Sequence, residues 1–205
     1  MFEDPNRLPP EALKRLKVMI VDPNAYMRGV IGDSLRRLLV TNISACASAL
    51  EAFNTGRIFK PDVIFVDWDA GRMSGLEFTR EVRRTAAGLP RETPIVLLAA
   101  QIDHEQLMGA RQAGINEFLL KPVSAQGVLS RIEEVTLRPR RFIVSRNYVG
   151  PCRRRRDDPV YTGPWRRLTD EPAARGAGPA TQANLQRLRE IVDMLSAYGA
   201  RSTED

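Results

Sequence analysis

Five short apolar runs punctuate the first two thirds of the chain: Val18-Met19-Ile20-Val21, Ile43-Ser44-Ala45-Cys46, Val63-Ile64-Phe65-Val66, Ile95-Val96-Leu97-Leu98 and Phe118-Leu119-Leu120. Runs this short and this continuous suit strands buried on both faces, as in a parallel sheet between helix layers. Between them, apolar residues recur at helical spacing: Met27, Ile31, Leu35 and Leu38, then Leu76 and Val82, then Leu129, Ile132 and Val135. Pro61-Asp62 and Pro94 introduce strands, while Gly114 and Ser124 mark helix ends. Five strand–helix alternations joined by right-handed crossovers predict an α/β domain with a doubly wound five-stranded parallel sheet over residues 16–137. Residues 1–15 are polar and proline-marked and read as an N-terminal extension.

In an open sheet of this kind, functional residues gather at the carboxyl ends of the strands. Asp22 ends the first strand, Asp67 the third, and Lys121-Pro122 the fifth. Two carboxylates brought side by side repel unless a cation lies between them, so the cluster is costly without a use. Phosphoryl transfer to a carboxylate fits it: Asp67 as nucleophile, Mg2+ neutralising charge, and Lys121 holding a phosphoryl oxygen. A simple Lys–Asp ion pair accounts for fewer of the three positions.

Residues 16–137, about 60% of the chain, resemble a receiver domain of the CheY-like response-regulator family, which has a flavodoxin-like fold. The resemblance rests on Val18 to Asp22, on Asp62 to Asp67 with Met73-Ser74-Gly75-Leu76, on Pro94 to Ala100, and on Gly114 through Lys121-Pro122. It implies Asp67 as phosphoacceptor and Asp22 with the backbone carbonyl of Asp69 in the metal pocket. It further implies Lys121 as the phosphate contact, a cis Lys121-Pro122 peptide, and a histidine kinase as partner. Four positions depart from the family pattern: Pro23 replaces a second acid, Ala99 a hydroxyl residue, and Gly71 a proline, while the aromatic Phe118 carries no hydroxyl. Without the second carboxylate, Mg2+ binding is expected to be weakened or absent. Without the hydroxyl at position 99, coupling from the phosphoryl group to the output surface is expected to be impaired. His104, the only histidine, follows Asp103 at a helix start and reads as a surface residue.

Charge changes the picture after residue 137. The net charge is +6, yet residues 138–170 hold ten arginines against three aspartates, so the rest of the chain is almost neutral. Residues 138–179 are rich in Arg, Gly and Pro and are expected to be a mostly irregular tail. Within it Tyr148-Val149-Gly150-Pro151-Cys152-Arg153-Arg154 is echoed by Tyr161-Thr162-Gly163-Pro164-Trp165-Arg166-Arg167. Each copy offers an aromatic face, a bend and two guanidinium forks, a set suited to a ligand with both bases and phosphates. Residues 180–200 then place Leu185, Leu188, Val192 and Leu195 on one stripe of an amphipathic helix, fitted for docking on the domain or for self-pairing. A helix-turn-helix pattern is absent, so specific DNA binding is not expected.

The stretch Arg140 to Asp158 is similar to the arginine-rich extension of Cle proteins, CheY-like proteins of alphaproteobacteria that bind cyclic di-GMP and act at the flagellar motor. The resemblance implies a cyclic di-GMP site drawn from Arg140, Arg141, Arg146, Tyr148, Arg153, Arg154, Arg155, Arg156, Asp157 and Asp158. Arginine forks onto guanine O6/N7, Asp157 or Asp158 accepts from guanine N–H groups, and Tyr148 or an arginine stacks. The expected function is a non-enzymatic, divergent phosphorelay adaptor responding to cyclic di-GMP, in motility or attachment, with the flagellar motor or another signalling protein as partner. The rivals are a conventional regulator phosphorylated at Asp67 by a histidine kinase, and a tail that binds nucleic acid nonspecifically. Cys46 and Cys152 form neither a disulfide framework nor a metal site. No apolar run is long enough to span a bilayer and no signal-peptide core is present, so a cytoplasmic location is expected.

Overall fold

The computed structural model describes residues 7–85 and 88–153. Five strands, β1 (Lys17–Val21), β2 (Asn42–Cys46), β3 (Val63–Asp67), β4 (Ile95–Ala99) and β5 (Glu117–Leu120), form one parallel sheet in the order β2-β1-β3-β4-β5. That order is the doubly wound one shared by flavodoxin- and CheY-like proteins. The helices are α1 (Pro10–Arg15), α2 (Ala25–Arg37), α3 (Ala49–Phe59), α4 (Gly75–Thr85), α5 (His104–Ala113) and α6 (Ala125–Leu137). The predicted apolar runs coincide with the five strands. The central strands are buried on both faces, because side chains alternate between two cores. Val18, Ile20, Phe65, Val96 and Leu98 join Ile31, Leu35 and Ile132 on one face. Met19, Ile64, Val66, Ile95 and Leu97 join Phe78, Val82 and Ala110 on the other.

Local signals fix the helix ends. Asn24, Ser48 and Ser124 cap α2, α3 and α6 through their side-chain oxygens, and Asp103 with Gln106 closes a capping box at α5. His104 is the first residue of α5 and is exposed, as expected.

Packing extends beyond residues 16–137 at both ends. Leu8, Ala12 and Leu13 are buried in the first core, and the Leu8 amide donates to Glu133 of α6, so part of the presumed extension belongs to the domain. The presumed irregular tail also begins as structure. β6 (Phe142–Ser145) and β7 (Tyr148–Pro151) pair as an antiparallel hairpin against the α4 and α5 side of the fold. Gly150 and Gly114 permit this contact. A Cβ on Gly150 would stand 2.8 Å from the Gly114 Cα, and one on Gly114 (φ +96°) 2.9 Å from the Val149 carbonyl oxygen.

Arg83 at the end of α4 joins the hairpin to the sheet. Its fully buried guanidinium donates to the carbonyls of Gly114, Arg91 and Thr93 and to Asn116 Oδ1, and lies 5.5 Å from the Phe142 ring centre. Burial pushes its pKa down to about 9, which leaves it protonated at neutral pH. A buried cation is tolerable only when its donors are satisfied, and here they are shared among two loops and a side chain. Neither the 3.6-residue period of α4 nor the composition of the tail signals this role.

Arg83→Ala should therefore lower the unfolding free energy by about 3–5 kcal/mol, since several buried carbonyls lose a donor at roughly 1–3 kcal/mol each. Urea denaturation measures it. A chain ending at Arg153 should keep the thermal transition of the full chain. One ending at Leu137 should melt several degrees lower, because it strips Phe142 and Tyr148 from the domain; equal transitions for the two would contradict the hairpin's structural role.

Candidate functional site

The carboxyl ends of β1, β3 and β5 meet as the topology requires. Lys121 Nζ lies 2.9 Å from Asp67 Oδ1 and 3.4 Å from Asp22 Oδ2, so one ammonium bridges both carboxylates. Asp22 is fully buried, and its Oδ1 accepts from the Asn24 amide at 2.7 Å. Asn24 in turn accepts from the amides of Tyr26 and Met27, so the cap of α2 also holds Asp22 in place. Burial raises the pKa of Asp22, with the Asp67 charge adding to the effect, while the Asn24 bond and Lys121 oppose it. For Lys121, burial lowers the pKa, but the hydrogen bond and charge of Asp67 and the charge of Asp22 outweigh it and the net shift is upward. The lysine is thus held protonated where it can meet an anion.

Asp69 is exposed on the loop after β3, its carboxylate accepting from the Gly71 amide at 2.9 Å. Ala70 N–H donates to the Met73 carbonyl and Gly75 N–H to the Trp68 carbonyl, closing this loop against the start of α4. Ala99 is buried at the end of β4, and its carbonyl accepts from the Lys121 amide at 2.8 Å. Phe118 packs half-buried against the second core. The Lys121-Pro122 peptide is cis.

Pro23 is exposed beside Asp22, and the Arg28 guanidinium donates to the carbonyls of Asp22 (2.8 Å) and Pro23 (3.0 Å). Arg28 was not foreseen from sequence; its only signal there is a basic residue in the first turn of α2, where anions rather than cations are favoured. Among the described residues no group of three His, Cys, Asp or Glu side chains gathers to hold a metal. Asp22 and Asp67 still suffice for an Mg2+ that keeps most of its waters, since that ion commonly takes one or two carboxylates. With Lys121 bridging them and Arg28 adjacent, the donor set fits Mg2+ weakly.

The tail residues divide. Tyr148, expected to stack on a ligand, is 6% exposed; its hydroxyl donates to the Pro151 carbonyl and Arg153 lies over its ring at 4.5 Å. Both faces of its chemistry serve the hairpin. The Arg140 guanidinium reaches the Cys152 carbonyl and Glu117, and the Arg153 carbonyl accepts from Arg111. Glu117, buried at the start of β5 and flanked also by Arg131, was not singled out by sequence. Arg141 and Arg146 are exposed. Arg154, Arg155, Arg156, Asp157, Asp158, the second Tyr-x-Gly-Pro copy and the expected helix over 180–200 lie outside the described residues.

Comparison with known proteins agrees with the geometry. The family model described as the response regulator receiver domain matches residues 18–133. The chemotaxis protein CheY of Pseudomonas aeruginosa is 31% identical over 123 residues, covering 58% of this chain and 95% of that protein. CheY-3 of Vibrio cholerae is 26% identical over 122 residues, covering 60% of this chain and 92% of its own length. Among solved structures, CheY4 of Vibrio cholerae superposes with a TM-score of 0.54 at 25% identity, over 58% of this chain and 98% of that one. The receiver domain of a sensor histidine kinase from Pseudomonas aeruginosa, with magnesium coordinated in its active-site cleft, gives 0.51 at 27% identity, over 60% and 97%.

The raised pKa of Asp22 fixes the sign of one expectation. Its folded value lies above the unfolded one, so its ionisation costs stability as pH rises through that window. Asp22→Asn should stabilise the protein at neutral pH by on the order of 1 kcal/mol, the scale of one relieved charge contact. The gain should vanish below about pH 4, where the wild-type carboxyl is protonated in both states. Thermal melts from pH 3 to 8 test this, and a gain that grows on acidification would reverse the assignment.

Proposed function

The chain belongs to the response regulator receiver domain family, which acts in phosphorelay signalling, and on that premise we propose a divergent adaptor that pairs phosphoryl acceptance at Asp67 with an arginine-rich extension that binds cyclic di-GMP. The observation that carries the receiver part is the Lys121 ammonium set between Asp67 and Asp22. An Asp67 carboxylate oxygen attacks the phosphorus of a phosphohistidine or small phosphodonor, a P–O bond forms, and the leaving group departs with its electron pair. Lys121 turns from the carboxylate pair to a phosphoryl oxygen and balances the added charge. A divalent cation held by Asp22, Asp67 and the Asp69 carbonyl supplies further charge neutralisation when bound. Pro23 withholds a carboxylate from that cation.

Ala99 offers the phosphoryl group no hydroxyl, and Phe118 none to follow it, so the response of the output surface is weak. This is why the reading places the second input in the extension. The hairpin presents Arg141 and Arg146 to solvent and directs the chain onward into Arg154, Arg155 and Arg156. Guanine reading by arginine forks, with Asp157 or Asp158 accepting from the base, suits a two-fold dinucleotide. Tyr148 leaves the proposed ligand set, because its ring and hydroxyl are spent inside the hairpin. A histidine kinase as donor and a motility or attachment protein as target complete the proposal. The conventional-regulator reading keeps support from the intact Asp67–Lys121 pair.

Two measurements test the halves separately. With acetyl phosphate, the wild type should be labelled slowly and with weak Mg2+ dependence, Asp67→Asn not at all, and Pro23→Asp with Mg2+ dependence several-fold steeper. Rapid labelling saturating at low Mg2+ would contradict the weakened site. By calorimetry, cyclic di-GMP should bind at moderate salt in preference to cyclic di-AMP by tenfold or more, each bidentate base contact contributing about 1–3 kcal/mol. Arg154→Ala should reduce both affinity and preference, and Tyr148→Phe neither. Equal affinity for the two dinucleotides, or binding lost on raising salt, would leave a generic polyanion tail.

A further inference from the structure

Glu117, at the start of β5, is a buried carboxylate beside two guanidinium groups, and both pairings are long. Arg140 Nη2 lies 3.4 Å from its Oε1 and Arg131 Nη1 3.7 Å from its Oε2, against about 2.7–2.9 Å for a close charge-assisted bond. The Nε of Arg131 is buried and has no hydrogen-bond partner among the described residues, an arrangement that costs stability until a partner meets it. Glu117 and Arg131 also line one cavity of about 420 Å3, together with Ser124 and with Phe118, Leu120 and Pro122. An acceptor, a donor and an apolar wall thus stand side by side around open space.

Each of those groups narrows what fits. A simple anion would face the Glu117 carboxylate, and a simple cation would face the Arg131 guanidinium. A purely apolar group would leave the orphaned N–H as it is. The ligand that suits all three carries N–H donors and an acceptor along one rigid edge and has a flat apolar face. We propose that this cavity is a subsite for a guanine base. Guanine N1–H and its N2 amino group donate to Glu117, and O6 accepts from the Arg131 Nε–H, with the ring laid against the apolar side. A carboxylate has about four acceptor sites, so Glu117 serves its arginines and the base together. Adenine fits badly, because it turns an acceptor, N1, to the carboxylate and a donor, the N6 amino group, to the guanidinium. The same base is offered by a free guanine nucleotide and by cyclic di-GMP; only in the second case does the inference rest on the cyclic di-GMP reading.

The test uses the full-length chain and follows arginine side-chain Nε–H signals by NMR during titration with GMP, AMP and cyclic di-GMP. The Arg131 signal, identified by its loss in Arg131→Lys, should shift with a guanine ligand and not with AMP. A shift with GMP assigns the cavity to a free nucleotide, and a shift with cyclic di-GMP alone makes it the domain's share of a dinucleotide site. In calorimetry with the ligand that produces the shift, guanine should be preferred over its adenine counterpart by about tenfold, and Glu117→Gln should cut that preference to about twofold or less. Leu120→Trp, at an exposed position on the cavity rim, leaves the charged cluster intact and should weaken binding of the guanine ligand. No Arg131 shift with either guanine ligand, an equal shift with AMP, or binding and preference unchanged in both variants would overturn the proposal. Loss of cyclic di-GMP affinity in Arg154→Ala, with no Arg131 shift in the wild type, would keep the extension as the binding site and discard the cavity.

Discussion

A parallel sheet covered on both faces leaves little room for charge except at its two ends, and the organisation of this protein follows from that constraint. Val18 through Val21, Val63 through Val66 and Ile95 through Leu98 are fully buried, so a charge within them would face an apolar core at a cost of several kcal/mol. Charged groups are displaced to the poles. At the carboxyl pole Asp22, Asp67 and Lys121 converge. At the amino pole Arg83 meets the carbonyls of the loops entering β4 and β5 and carries the hairpin. Both poles solve the same problem, a buried charge, but with different partners.

The partners decide what each pole does. At the carboxyl pole, like charges face each other across one lysine, and Asp22 is held against the cost of its own burial. Lys121 offsets the repulsion between the two carboxylates by lying within 3.4 Å of both. Pro23 stands where the family pattern has an acid and Ala99 where it has a hydroxyl, so the Asp67–Lys121 pair keeps its geometry with fewer polar groups around it. At the amino pole the hydrogen bonds of the Arg83 guanidinium among the described residues go to backbone carbonyls and the Asn116 amide oxygen, neutral acceptors fixed by the loops that carry them. It is a weld, and it makes residues 142–151 part of the domain.

The hairpin also gives the Tyr-x-Gly-Pro repeat a structural meaning in its first copy. Gly150 lies directly on Gly114, the Tyr148 hydroxyl turns back to the Pro151 carbonyl, and Arg153 covers the ring. Every fixed residue of the pattern up to the first arginine is accounted for by local packing. An aromatic face and a guanidinium read from sequence as two ligand contacts are here in contact with each other.

The sheet was legible in the sequence because apolar runs as short as Ile95 to Leu98, preceded by Pro94 and alternating with helical periods, suit buried parallel strands better than helices, and parallel strands bring their ends to a shared pole. The acid pair and Lys121 were legible for the same reason: each ends a strand, and parallel strands end together. The capping residues Asn24, Ser48, Asp103 and Ser124 were legible too, since a cap acts over three residues of contiguous chain. Tertiary structure decided what depends on contacts distant in sequence. Leu8 meets Glu133, Arg83 meets Gly114 and Phe142, Arg140 meets Glu117, and Gly150 meets Gly114. None of these pairs has a period or spacing, and an arginine destined for burial has the same letter as one destined for solvent. Only when the chain is folded do the carbonyls that can satisfy a guanidinium come within reach of it, and that is what turned residues 138–153 from an apparent tail into the edge of a domain.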